Sequence, residues 1–178
     1  PQSQIRWWLG AEQVMNPIRQ SISNSGNLIV TTSVISLTLN RSHAHRLLYC
    51  DTTVLGQQAW IPSSKSDIDV MYAPDVRVNV SGSTLVGSTA VLMCTPQGNP
   101  PQYTFHPWIH MVGQTEIRRL DGVNRVTFST LSLSNISIQD MGTYSCTVDN
   151  SITGLDGQIN QMGDTYVYVQ GLPIIDKT

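Results

Sequence analysis

The stretch Asp140-Met-Gly142-Thr-Tyr144-Ser-Cys146 constrains this chain more than any other. It joins a cysteine, a tyrosine two residues before it, and an alternating run leading in, Ser129-Thr-Leu131-Ser-Leu133. A tyrosine buried in a sheet must find a partner for its hydroxyl. The segment therefore predicts a buried strand in which that hydroxyl is hydrogen-bonded.

Composition points the same way. Only 12% of the 178 residues are charged and the formal net charge is −2, so the basic face of a nucleic-acid binder is missing. Ser, Thr, Asn, Gln and Val are abundant and Lys is scarce, which favours strands with hydroxyl-rich outer faces over solvated helices. No apolar run approaches the roughly 18–20 residues that span a bilayer, so no membrane insertion by this segment is expected. Residues 1–7 lack the charged head and apolar body of a secretory signal. If the protein is secreted or surface-bound, its signal and any anchor are expected outside this chain.

Thr165-Tyr-Val167-Tyr-Val169 and Ser36-Leu37-Thr-Leu39 alternate cleanly. Turn clusters punctuate at short intervals, at Asn24-Ser-Gly26, Gly98-Asn-Pro-Pro101, Asp121-Gly122 and Gly154-Leu-Asp-Gly157. Many short strands at such spacing predict an antiparallel sandwich. Two passages repeat one pattern. Residues 33–39 lead to Leu48-Tyr-Cys50 and then to Ile68-Asp-Val70-Met-Tyr72, as residues 129–133 lead to Tyr144-Ser-Cys146 and then to residues 166–169. The period is near 96 residues, the separation of Cys50 from Cys146. Pro74 marks the joint, having no amide hydrogen to give a ladder.

The segment from Asp140 to Cys146 resembles the D-x-G-x-Y-x-C signature of the immunoglobulin superfamily. That resemblance implies an all-β chain of two tandem antiparallel sandwiches. Residues 75–171 would be a complete I-set or C2-type domain, with Cys94 and Cys146, 52 positions apart, forming the bond between strands B and F. The fold signature there is Asp140, Gly142 and Tyr144, with a core aromatic on strand C that is either Trp108 or Phe105. Spacing from Cys94 and parity with Tyr103 favour Phe105, and Pro107 speaks against an unbroken strand through Trp108.

The stretch from His45 to Cys50 has Leu48 where the corner tyrosine would stand, and Asp67-Ile-Asp-Val-Met-Tyr-Ala-Pro74 follows it. With these, residues 1–74 resemble strands C to G of a C2-type domain of the kind found in nephrin-like, nectin-like and sialic-acid-binding lectin families. Trp7 would be its core residue, with Ile5 and Leu9 on the same face, and Cys50 its strand F cysteine. Strands A and B, and with them the partner of Cys50, would be missing, so Cys50 is expected unpaired. Residues 172–178 resemble a lead-in to a further domain. Arg125, before strand E, could pair with Asp140 beneath the E–F turn.

Chemistry is sparse by comparison. Asn40, Asn79 and Asn135 each open an N-x-S sequon, used only in a secreted or surface protein and only when exposed. His106 and His110 lie four apart, and His43 and His45 two apart, but neither segment reads as the helix that would put such pairs on one metal. Asp67 and Asp69 fit the solvent face of a strand better than a calcium site, which needs six or more oxygens. The sequence has no nucleophile elbow, no phosphate loop and no H-E-x-x-H. Neither an enzyme nor a cofactor is expected.

These features together predict an extracellular or cell-surface segment of a multi-immunoglobulin adhesion or recognition protein. It would bind a protein partner, homophilic or heterophilic. A soluble immune-type recognition molecule or lectin, binding glycan or a microbial surface, is the rival expectation. The contact loop to test is F–G, residues 149–163, because loops on rigid scaffolds bear function.

Overall fold

The computed structural model describes residues 3–15 and 18–171. The expected lead-in at residues 172–178 lies outside them. The chain divides into two compact units, Pro1–Val70 and Met71–Thr178. No helix among the described residues is long and apolar enough to cross a membrane.

Unit 1 runs β1 (Ser3–Leu9), β2 (Glu12–Val14), β3 (Ile18–Ser25), β4 (Leu28–Ile35), a 3-10 turn at Arg41–His43, β5 (Leu47–Val54), β6 (Ile61–Pro62) and β7 (Ser66–Asp67). One sheet has the order β2-β1-β5-β6, with β7 also on β5, and the second is the hairpin β3-β4. The hairpin turns on two residues, with Gly26 at φ +62°, a value glycine adopts without a Cβ clash. Trp7 stands opposite Cys50. Its indole Nε1 donates to Ser33 Oγ of β4 at 3.0 Å, so the two sheets face each other across Trp7. Among the described residues β4 has a ladder partner on one side only. Ile22 and Ile29 are exposed on the hairpin.

The final strand of this unit departs from expectation. Residues 68–71 form no strand; instead β6 and β7 line β5, with Asp67 opposite Leu47. Tyr72 already belongs to unit 2, where it opens β8 (Tyr72–Gly82). Pro74 falls inside that strand, at a shift of register between Tyr72 and Asp75 that accommodates its missing N–H. Beyond it Val76, Val78 and Val80 alternate inward against the core.

Unit 2 continues with β9 (Ala90–Asn99), β10 (Thr104–Phe105), β11 (Trp108–Val112), β12 (Thr115–Leu120), β13 (Val123–Asn124), β14 (Ser129–Leu133), a 3-10 turn at Ile138–Asp140, β15 (Gly142–Asp149) and β16 (Gln161–Val167). One sheet is β13-β14-β9-β8; in the other, β15 pairs with β10, β11 and β16, and β12 pairs with β11. The two inner faces enclose Ala90, Leu92, Leu131, Leu133, Ile136 and Val167, joined by the Cys94–Cys146 disulfide.

Trp108 is the core indole, correcting the preference for Phe105. Its side chain is 0% exposed, while Phe105 packs at the margin. Phe105 pairs with Val148, yet His110 pairs with Tyr144, so one extra residue intervenes on the β10–β11 side. That bulge, at His106 and Pro107, lets Phe105 and Trp108 both point inward despite their odd separation. Trp108 Nε1 donates to Ser129 Oγ at 3.2 Å, and that hydroxyl donates to Asn124 Oδ1 at 2.7 Å, so the buried N–H is satisfied.

Candidate contact surfaces

Strand β15 delivers the signature residues to one corner. Tyr144 is buried and its hydroxyl donates to the Asp140 carbonyl at 3.0 Å. Asp140 Oδ2 accepts from the Ser137 amide at 2.8 Å and the Ser137 hydroxyl at 3.0 Å. Its Oδ1 accepts from Arg118 of β12, which also donates to the Tyr144 oxygen. Arg118 is thus the partner of Asp140, in place of the expected Arg125. Arg125 is exposed in the connection between β13 and β14, where its amide donates to the Phe128 carbonyl at 2.8 Å. Burial alone would raise the Asp140 pKa, but the Ser137 amide and the Arg118 guanidinium outweigh it and hold the carboxyl below its ordinary value. Gly142 is required here. It takes φ +148°, and a Cβ would lie 2.4 Å from the Met111 carbonyl and 2.6 Å from His110 Nε2.

From this rigid frame β15 and β16 project the loop of residues 150–160. Its base is fixed by Asn150, which is buried and donates to the Tyr72 carbonyl at 2.9 Å and the Pro100 carbonyl at 3.1 Å. Farther out, the Gly154 amide donates to the Gln158 carbonyl at 2.7 Å. Asp156 Oδ1 accepts from the Gln158 amide at 3.0 Å and from Gln161 Nε2 at 3.2 Å, which lowers its pKa, the Gln158 amide contributing most. These bonds define the loop's shape. At that tip Leu155 is 113% exposed, and Ile159 is exposed beside it. Residues 149–163 carry Asp149 and Asp156 and no Lys or Arg.

Sequence reasoning missed a second surface, on the face of β1 and β5 opposite Trp7. Arg6 binds Asp51 with two hydrogen bonds, at 3.0 and 2.7 Å. The Arg6 guanidinium lies 3.4 Å from the Trp60 ring centroid and 5.5 Å from that of Trp8. Trp8 stacks on Tyr49 at 6.3 Å, and Lys65 Nζ stands 5.1 Å over Tyr49. The Arg6 hydrogen bonds lower the Asp51 pKa against the opposing effect of burial. The alternation of Arg6 and Trp8 against Trp7 carried the signal for this face.

The other candidates scatter. Asn40, Asn79 and Asn135 are all exposed. Asn40 caps the first 3-10 turn, its Oδ1 accepting from the Ser42 hydroxyl at 2.7 Å. His43 Nδ1 accepts from the Asn40 amide at 2.9 Å, and His45 lies 3.6 Å from Asp67. His106 sits 3.3 Å from Asp149, whereas His110 is buried against Tyr144, so the pair shares no site. Among the described residues no three His, Cys, Asp or Glu side chains gather to hold a metal. Cys50 is a free, partly buried thiol on the inner face of β5.

Residues 74–150 match the immunoglobulin domain family. Interference hedgehog of Drosophila ananassae is 30% identical over 93 residues, covering 52% of this chain and 10% of that protein. The chain therefore spans about a tenth of that curated relative's length. Among solved structures, the full ectodomain of mouse nectin-like molecule 4 is similar with a TM-score of 0.73 at 19% identity. That match covers 99% of this chain and 57% of the other, and at such identity it speaks to the fold.

Proposed function

We propose that this chain, a member of the immunoglobulin superfamily, is an extracellular binding and structural segment of a multi-domain adhesion or recognition protein. It acts by protein–protein contact, with no bond chemistry. The observation that supports this most is the β15–β16 loop: an aliphatic side chain held fully in water on a hydrogen-bonded frame. Exposed leucine has no packing role in its own chain, and a preorganised loop loses little entropy on docking. An aliphatic tip suits a pocket on a protein. The disulfide across the core fits an oxidising compartment outside the cytosol.

The test uses the chain multimerised on fluorescent beads and offered to cultured cells. Binding that trypsin treatment of the cells abolishes, and that alanine substitution across residues 152–159 removes, supports the reading. Binding unchanged by those substitutions removes the loop from contention. Clumping of the beads alone would identify a homophilic contact.

The alternative, a recognition molecule or lectin engaging glycan, draws on the other surface. Trp8 and Tyr49 form an aromatic pair flanked by Arg6 and Lys65, and aromatic faces stack on sugar rings. Competition by free saccharide and insensitivity to trypsin would favour it. Secretion would also make at least one of the exposed candidates Asn40, Asn79 and Asn135 a glycosylation site, read as a glycosidase-sensitive mass shift after expression in a eukaryotic secretory host. An unshifted mass ends that part of the proposal.

A further inference from the structure

His110 is 0% exposed, in the interior of unit 2. It stands on β11 opposite Tyr144 of β15 and Arg118 of β12, its ring stacked on Tyr144 with centroids 4.3 Å apart and planes 7° apart. Nε2 lies 3.1 Å from the Met141 carbonyl. A carbonyl only accepts, so Nε2 carries the proton and Nδ1 is the bare nitrogen. That Nδ1 is buried without a hydrogen-bond partner. The Met141 carbonyl comes close because Gly142 has no Cβ to intervene.

The charged and titratable groups around the ring leave a second proton no welcome. From β12 comes the Arg118 guanidinium, from the 3-10 turn the Asp140 carboxylate, and from β15 the Tyr144 hydroxyl. Asp140, the anion of the three, already accepts from Arg118, the Ser137 amide and the Ser137 hydroxyl. Protonated Nδ1 would be a buried N–H with no acceptor and a second cation close to Arg118.

We propose that His110 is an acid-sensitive latch: the neutral ring holds Met141 and the turn before it against β11, and acidification releases that turn and the Tyr144 corner. Burial lowers the imidazole pKa below 6.5 and Arg118 adds to this, against the opposing pull of the Met141 carbonyl and Asp140. The released form, with its ring in water, takes up the proton first. Stability from the latch is therefore complete above pH 6.5 and is lost as the pH falls from there toward the lower folded value. A site that stays neutral when folded loses about tenfold in its closing equilibrium between pH 7.5 and pH 5.5.

The experiment follows the four imidazoles of the intact chain by nitrogen-15 NMR against pH. In parallel it compares amide protection factors at residues 138–144 at pH 7.5 and 5.5 in the wild type and His110→Gln. Glutamine can still donate to the Met141 carbonyl and does not titrate. Support is an imidazole titrating below 6.5, with protection falling about tenfold more on acidification in the wild type than in the variant. A His110 ring that titrates at or above 6.5, or equal pH dependence in both proteins, overturns the latch. Should His110→Gln not fold, the wild-type titration alone decides.

Discussion

The Tyr144 hydroxyl donates to the carbonyl of Asp140 at 3.0 Å while its oxygen accepts from Arg118 at 3.2 Å. One phenol thus closes the turn into β15 and ties β12 to it. Tyr144→Phe keeps the ring and its stacking on His110 but leaves the Asp140 carbonyl without this donor. The expected cost is about 1–2 kcal/mol, measured as a lower urea midpoint with unchanged slope. An unshifted midpoint would mean that water replaces the hydroxyl without loss.

Asp140 should matter through charge and shape together. Its carboxylate accepts from Arg118 and from both donors of Ser137. Because the Arg118 side chain is 40% exposed, solvent weakens that pair, and Asp140→Asn should cost only about 1 kcal/mol at neutral pH. The Asp140 pKa is lowered in the folded state, so its contribution is present above 3.8 and disappears as the pH falls through the folded value. The melting temperatures of wild type and Asp140→Asn should therefore converge in strong acid. Equal values at pH 7 would show that the ion pair contributes nothing.

The parts of unit 2 legible in the sequence were those with a strictly local pattern. A tyrosine two before a cysteine, with glycine two before the tyrosine, fixes a corner whatever surrounds it. Phe105 was preferred to Trp108 because parity counted from Tyr103 cannot foresee the extra residue at His106 and Pro107. Counted from Trp108 itself, the alternation with His110 was there to be read. Arg118 was missed for another reason: it reaches Asp140 across the pairing of β12 with β11, a register no linear spacing encodes. In unit 1 the alternating residues 68–72 suggested a strand, but Pro74 and the valines after it commit Tyr72 to the next unit.

Core truncations should rank the two aromatics. Trp108→Ala removes a fully buried indole and leaves Ser129 without its donor, at a cost of about 3–5 kcal/mol. Phe105→Ala, at the margin of the same core, should cost less, about 1–3 kcal/mol. Chemical denaturation of both variants gives the order, and a costlier Phe105→Ala would reverse the assignment.

The cysteines can be counted directly. Unfolded without reductant, the chain should react with one equivalent of a thiol reagent, at Cys50, and with three after reduction. Replacing Cys94 and Cys146 with alanine reopens a loop of 52 positions, a loss of about 4 kcal/mol by chain entropy. That loss should fall on unit 2, whereas Cys50→Ala should leave its unfolding midpoint in place.

Leu155 separates binding from stability more cleanly than any other residue. Its side chain meets only water, so Leu155→Asp should shift the unfolding free energy by no more than about 0.5 kcal/mol. The same change adds a third carboxylate to a loop that holds Asp149 and Asp156 and no cation, and it removes the aliphatic tip. Cell binding by the multimerised chain should then fall at least tenfold, because a carboxylate entering an apolar pocket must shed its water. Asp156→Ala approaches the loop from the other side. It keeps Leu155 but removes the acceptor for the Gln158 amide and the Gln161 side chain, loosening the frame. Binding should weaken by a smaller factor, mainly through ordering entropy. Equal binding by wild type and Leu155→Asp would move the contact off this loop, leaving the Arg6, Trp8 and Tyr49 face of unit 1 as the surface to substitute next.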